Sequence, residues 1–143
     1  MKFIRLKVAL LTVFSVVSIL YPGGAKRLEA LEIGHHNAEL LPKGKEADGI
    51  VGDFLLRNGK IQVLIAGNLP HRRANMMHEW EFPIPGALLD LDFCGADNDQ
   101  ITSFRPGHLG GDVSYVRVVR DGSNGTASVE TVRTAVKGGG LYT

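Results

Sequence analysis

The 143-residue sequence predicts an all-β fold, an antiparallel β-sandwich, and three features carry that expectation. Past residue 50 the chain is built of short runs in which apolar and polar side chains alternate, the period of a strand with one dry face. Asn58-Gly59 and Asp121-Gly122-Ser123-Asn124-Gly125 fall between such runs, where hairpins turn. Glycine-rich and proline-containing stretches separate the remaining runs, and the single segment suited to a short helix lies earlier, at 26–41.

The amino end has its own organisation. Lys2, Arg5 and Lys7 precede an apolar stretch, Val8 to Leu20, and a turn at Tyr21-Pro22-Gly23-Gly24-Ala25. Positive end, apolar middle and small residues before a cut make a secretory signal helix over 1–25, cleaved before Lys26. The apolar stretch is shorter than the roughly 20 residues needed to cross a bilayer core, so a membrane contact is expected only through an uncleaved leader. Export to the periplasm, cell surface or extracellular space follows as the expectation. Cys94, the only cysteine, excludes an intrachain disulfide and lies far from any lipidation position near the cut. Taking Lys2, Arg5 and Lys7 from the 16 basic residues leaves 13 against 15 acids, so the exported part carries no basic stripe for nucleic acid.

Within 26–41, Leu28, Leu31 and Ile33 stand among Glu29 and Glu32, a helix-like grouping that breaks at Gly34-His35-His36-Asn37. The stretch 42–52, rich in Lys, Glu, Gly and Asp, reads as a linker, so 26–52 forms an amino-terminal segment and 53–143 the sandwich domain. Asp53 to Arg57 and Lys60 to Ala66 are the arms of a hairpin over Asn58-Gly59, a pair that suits a two-residue type I′ turn. Ile61, Val63 and Ile65 share one face of the second arm and Gln62, Leu64 and Ala66 the other, which predicts a strand covered on both sides. In 87–93 the alternation turns Leu89, Leu91 and Phe93 inward and Leu88, Asp90 and Asp92 toward water. Ile101 to Phe104 is a short strand. Val113 to Arg120 and Thr126 to Val136 form a second hairpin, with arginines suited to an edge. After Gly138-Gly139-Gly140 the residues Leu141-Tyr142 read as the opening of another strand. The expectation is therefore a sandwich incomplete at its carboxyl end, the first piece of a longer protein or one completed from elsewhere.

Three segments carry the resemblance to a known group: Gly-Asp-Phe-Leu-Leu-Arg-Asn-Gly-Lys-Ile at 52–61, Arg-Arg-Ala-Asn at 72–75 and Ala-Asp-Asn-Asp-Gln at 96–100. In these the chain resembles the amino-terminal β-sandwich region of large exported bacterial proteins, some of which carry a downstream PHP-type metallohydrolase module. The resemblance implies a sandwich fold in a multidomain setting. It transfers no catalytic residue, because the histidine clusters of that hydrolase module are absent from this sequence.

Candidate chemistry is confined to a few clusters. His35, His36, His71, His78 and His108 occur in neither His-x-His nor His-Glu-x-x-His spacing, so no pair is fixed on one face as zinc requires. Asp90, Asp92, Asp97 and Asp99 offer hard oxygens at alternating positions, and calcium is the metal they suit. Without the EF-hand glycine and distal glutamate, they also suit a turn in which Asp and Asn side chains bind backbone amides. Arg72, Arg73 and Asn75 sit on a long irregular segment, 67–86. There a guanidinium fork can hold a carboxylate, phosphate or sugar hydroxyls, or satisfy the loop's own carbonyls. Trp80 suits either a sugar-stacking platform or a core position. Cys94 reads as a small buried hydrophobe, 107–111 lacks the following helix that a phosphate cradle needs, and no Gly-x-Ser-x-Gly elbow occurs. Asn124-Gly125-Thr126 spells a glycosylation sequon, unused behind a bacterial-type leader. The reading is a non-catalytic module that scaffolds or binds glycan or a downstream domain of the same protein. The alternative is the non-catalytic portion of a metal-dependent hydrolase whose active site lies downstream.

Overall fold

The computed structural model describes residues 28–44, 47–74, 84–96, 98, 101, 104 and 112–133. Residues 1–27, 45–46 and 75–83, most of 97–111 and the residues beyond Arg133 lie outside them. The described chain is all-β, with two antiparallel sheets arranged as in a β-sandwich. One has four strands in sequential order: β1 (Glu29–Glu32), β2 (Phe54–Arg57), β3 (Ile61–Ile65) and β4 (Leu88–Phe93). The other is the hairpin of β5 (Val113–Asp121) and β6 (Ala127–Arg133), which packs against β1 and β2.

The helix expected over 26–41 is a strand followed by a short 3-10 helix, His35–Leu40. Helical spacing of Leu28, Leu31 and Ile33 lost to pairing with β2, which sets Glu29 opposite Arg57 and lets the two side chains form an ion pair. Ala30 and Ile33 become buried, and Ile33 extends the pairing through Ile33 N–H to Asp53 C=O and Gly52 N–H to Ile33 C=O. At the strand's end the Asn37 side chain accepts from Gly34 N–H at 2.6 Å and donates to the Glu32 carbonyl. The stretch expected as a linker is built into the fold: Pro42 is buried and the Asp48 carbonyl accepts from Arg72. The described part of 26–52 thus contributes a strand and a covering loop to the same sheet.

The β2–β3 hairpin forms as expected, but one residue later in its turn. Arg57 pairs with Gln62, Asn58 N–H donates to the Ile61 carbonyl, and the central residues are Gly59 and Lys60. Only Gly59 has positive φ (82°), so the turn is not type I′, which needs two such residues. The Asn58 side chain completes it by accepting from Lys60 N–H and Ile61 N–H.

The largest departure is in β4. Ile65 pairs with Leu88 and Leu64 with Asp90, so Leu89 is an extra residue, a β-bulge. The alternation slips by one there. Leu89 and Asp90 both point inward, Asp92 follows them, and Leu91 and Phe93 turn outward at 39% and 69% exposure. The expected orientation of 90–93 is inverted. Cross-strand partners share a face, so Ile61 (opposite Phe93) and Val63 (opposite Leu91) lie on the outer side, and β3 is well covered only on the side of Gln62, Leu64 and Ala66. The core gathers Leu64, Ala66, Ala74, Ile84, Ala87 and Leu89. Of the strand expected over 101–104, residues 102 and 103 lie outside the described residues, and Phe104 forms an antiparallel bridge with Leu88.

The β5–β6 hairpin contains two bulges and is held at both ends. Near its open end Asn68 donates to the Val113 and Ser114 carbonyls and Arg133 to that of Pro85. At its tip Gly122, φ 103°, lies so close to β1 that a Cβ would stand 1.9 Å from the Leu28 carbonyl oxygen.

Gly59→Val places a β-branched residue at positive φ and is expected to lower stability by about 1–3 kcal/mol, as read by urea unfolding. An unchanged midpoint would contradict the turn geometry.

Candidate functional site

The most elaborate polar arrangement joins the start of β2 to the loops on either side. Asp53 is fully buried. Its Oδ1 accepts from Gly67 N–H at 2.9 Å and Arg72 Nε–H at 3.2 Å, and its Oδ2 from Ile50 N–H at 3.0 Å and Arg72 Nη2–H at 2.7 Å. The guanidinium is buried with it and also donates to the carbonyls of Asp48 and Arg73. Local sequence places both partners. Gly52, at φ 97°, turns the chain into β2, and the turn Leu69-Pro70-His71-Arg72 closes with Arg72 N–H donating to Leu69 C=O. Proline supplies the second turn position, and His71 takes the left-handed conformation at the third (φ 58°). Gly67 passes against Gly52 so tightly that a Cβ on it would meet the Gly52 carbonyl oxygen at 1.9 Å.

Arg72 was a candidate ligand-binding residue. Its fork of donors is directed at a carboxylate and two backbone carbonyls of this chain, the arrangement that an irregular loop requires of its own polar groups. Arg73 and His71 are exposed beside it. Asn75 and Trp80 lie outside the described residues, so the cluster of Arg72, Arg73, Asn75 and Trp80 is described only in its first half.

The acidic cluster divides in the same way. Asp90 and Asp92 are buried on the inner side of β4, carried there by the bulge, rather than standing in water as the alternation predicts. Asp92 Oδ1 accepts from Phe93 N–H at 2.6 Å and its Oδ2 from Asn98 N–H at 2.7 Å, so this carboxylate closes the loop after β4. That loop is also fixed by Cys94 N–H to the Lys60 carbonyl and Ala96 N–H to the Phe93 carbonyl. Asp97 and Asp99 lie outside the described residues. Among the described residues no group of three or more His, Cys, Asp and Glu side chains is placed to hold a metal ion. Cys94 is half-buried as a free thiol.

Two surface features were not singled out from the sequence. On the β5–β6 hairpin Arg117 lies over the Tyr115 ring, 4.9 Å from its centroid, and Glu130 opposite accepts from Arg117 Nε–H at 2.9 Å and the Tyr115 hydroxyl at 3.4 Å. The Glu130 hydrogen bond, with Tyr115 and the Glu130 charge behind it, holds the Arg117 guanidinium above its ordinary pKa. The second is the apolar outer face of β3 and β4, where Ile61, Leu91 and Phe93 are exposed and Phe104 joins at the next position across the sheet. Its signal was present in the sequence as alternation, but read in the wrong phase.

No helix among the described residues is long and apolar enough to cross a membrane. The chain matches no protein-family model, no curated protein and no solved structure.

Removing one partner of the Asp53–Arg72 pair leaves a buried charge unpaired. Asp53→Asn and Arg72→Leu are each expected to cost about 3–5 kcal/mol in chemical unfolding, the double variant losing less than the sum of the two. Additive losses would mean that the two side chains do not depend on each other.

Proposed function

We propose that this chain is a non-catalytic β-sandwich module of an exported, multidomain protein, and that it works as a scaffold whose outer β3–β4 face packs against a neighbouring domain of the same protein. The observation that carries the reading is the face itself. A sheet is a stable layer when each apolar side has another layer against it; here one side holds the core, while the other buries Ala30 and Phe54 at β1 and β2 but presents Ile61, Leu91, Phe93 and Phe104 to water at β3 and β4. Two of the described candidate residues act within the fold. Arg72 neutralises Asp53, and Asp92 ties down a loop. A protein layer suits the face better than a glycan, because the four exposed side chains are all apolar and a sugar needs hydrogen-bonding partners beside its stacking surface. The resemblance to amino-terminal regions of large exported proteins agrees with a domain that has neighbours.

The test replaces Leu91 by Gln and Phe93 by Ser in the chain produced from Lys26. The expected outcome is unfolding free energy within about 1 kcal/mol of the parent, as for exposed positions, with loss of hydrophobic-dye binding and of concentration-dependent association. Collapse of the fold would show these side chains to be core. Unchanged dye binding would show that the face is not the sticky surface.

A further inference from the structure

The sequence contains two Asn-Gly pairs, and the structure makes them chemically unequal. An asparagine followed by glycine can modify itself. The glycine amide nitrogen attacks the side-chain carboxamide carbon, a C–N bond forms as the amide proton passes to water, and negative charge builds on Oδ1. The side-chain nitrogen takes a proton and leaves as ammonia. Water then opens the cyclic imide to aspartate or isoaspartate. The net change is one water consumed and one ammonia released, with no oxidation or reduction. The rate depends on two local features: whether the attacking nitrogen is free of other bonds, and whether donors are already aimed at the oxygen that becomes charged.

At Asn58-Gly59 both features are favourable. The Asn58 side-chain oxygen accepts from two backbone amides, Lys60 N–H at 3.0 Å and Ile61 N–H at 3.1 Å, an arrangement equivalent to an oxyanion hole. Among the described residues nothing accepts a hydrogen bond from the Gly59 amide. Asn58 is exposed, so water reaches the imide. At Asn124-Gly125 the side-chain oxygen accepts from one amide, Thr126 N–H at 3.2 Å, and the attacking nitrogen is engaged, Gly125 N–H donating to the Gly122 carbonyl at 3.0 Å. Both asparagines are exposed, so solvent access does not separate them.

We propose that Asn58-Gly59, at the turn of the central β2–β3 hairpin, is a self-modification site that the folded chain activates for conversion to aspartate and isoaspartate, while Asn124-Gly125 is protected. The inference stands apart from the proposed function. The isoaspartate product carries an extra methylene in the main chain, which a two-residue turn cannot absorb without disturbing the Arg57–Gln62 register.

The test incubates the chain from Lys26 in mildly alkaline buffer, folded and in denaturant, and follows both sites by peptide mass mapping, with isoaspartyl methyltransferase labelling to identify the product. The denatured chain supplies each site's rate without structure, which removes the effect of different neighbours in sequence. The expected result is that the ratio of Asn58 to Asn124 conversion is several-fold larger in the folded chain than in the denatured one. An equal or smaller ratio, or an Asn58 that does not convert while folded, overturns the proposal.

Discussion

A carboxylate with no exposure to water and a guanidinium beside it would both be expelled from the interior if either stood alone. Asp53 remains inside because every direction from its two oxygens meets a donor: a backbone amide from the segment before it, one from the segment after β3, and two nitrogens of Arg72. Arg72 in turn reaches back to Asp48 and holds its neighbour's carbonyl. Three pieces of chain without regular structure are thereby held together at the mouth of one hairpin. The close passage of Gly67 over Gly52 belongs to the same node, since the Gly67 amide reaches Asp53 only if the two backbones nearly touch. The pair gives this loop region its geometry, and the core residues Ala66, Ala74 and Leu64 then pack beneath segments already positioned.

The β4 bulge has an influence out of proportion to its size. One extra residue at Leu89 brings Leu89 and Asp90 to the same side, moves Asp92 into position to close the following loop, and turns Leu91 and Phe93 out. The same step that gives the inner side its buried acids gives the outer side its apolar row. The buried acids and the outward apolar row are therefore two consequences of one register shift. The second sheet does not compensate at β3 and β4, because the β5–β6 hairpin packs on β1 and β2, at the other end of the strand order.

Turn chemistry in this chain depends on side-chain amides as much as on glycine. Asn37, Asn58 and Asn124 each bind backbone groups within a few residues, and in two of these turns a glycine supplies the positive φ. At Asn58 the donors that stabilise the turn are aimed at the same oxygen that carries charge during attack by the next residue, so local stability and chemical lability have one geometric source.

The sequence by itself determined the class of the fold, the hairpin at 53–66, the described part of the hairpin read over 113–136, and the need for Gly59 to turn, because these depend on contacts between near neighbours and on the period of the side chains. It misread 26–41, where the pairing of Glu29 with Arg57 and the burial of Ala30 and Ile33 depend on a strand some 25 positions away, outside any local pattern. It misread 90–93 because an alternation has no phase of its own, and only the register against β3 reveals that Leu89 is supernumerary. It marked Arg72 as polar and purposeful without naming its partner. Asp53 lies 19 residues away, and a buried ion pair across that distance exists only once two loops have been brought together around it.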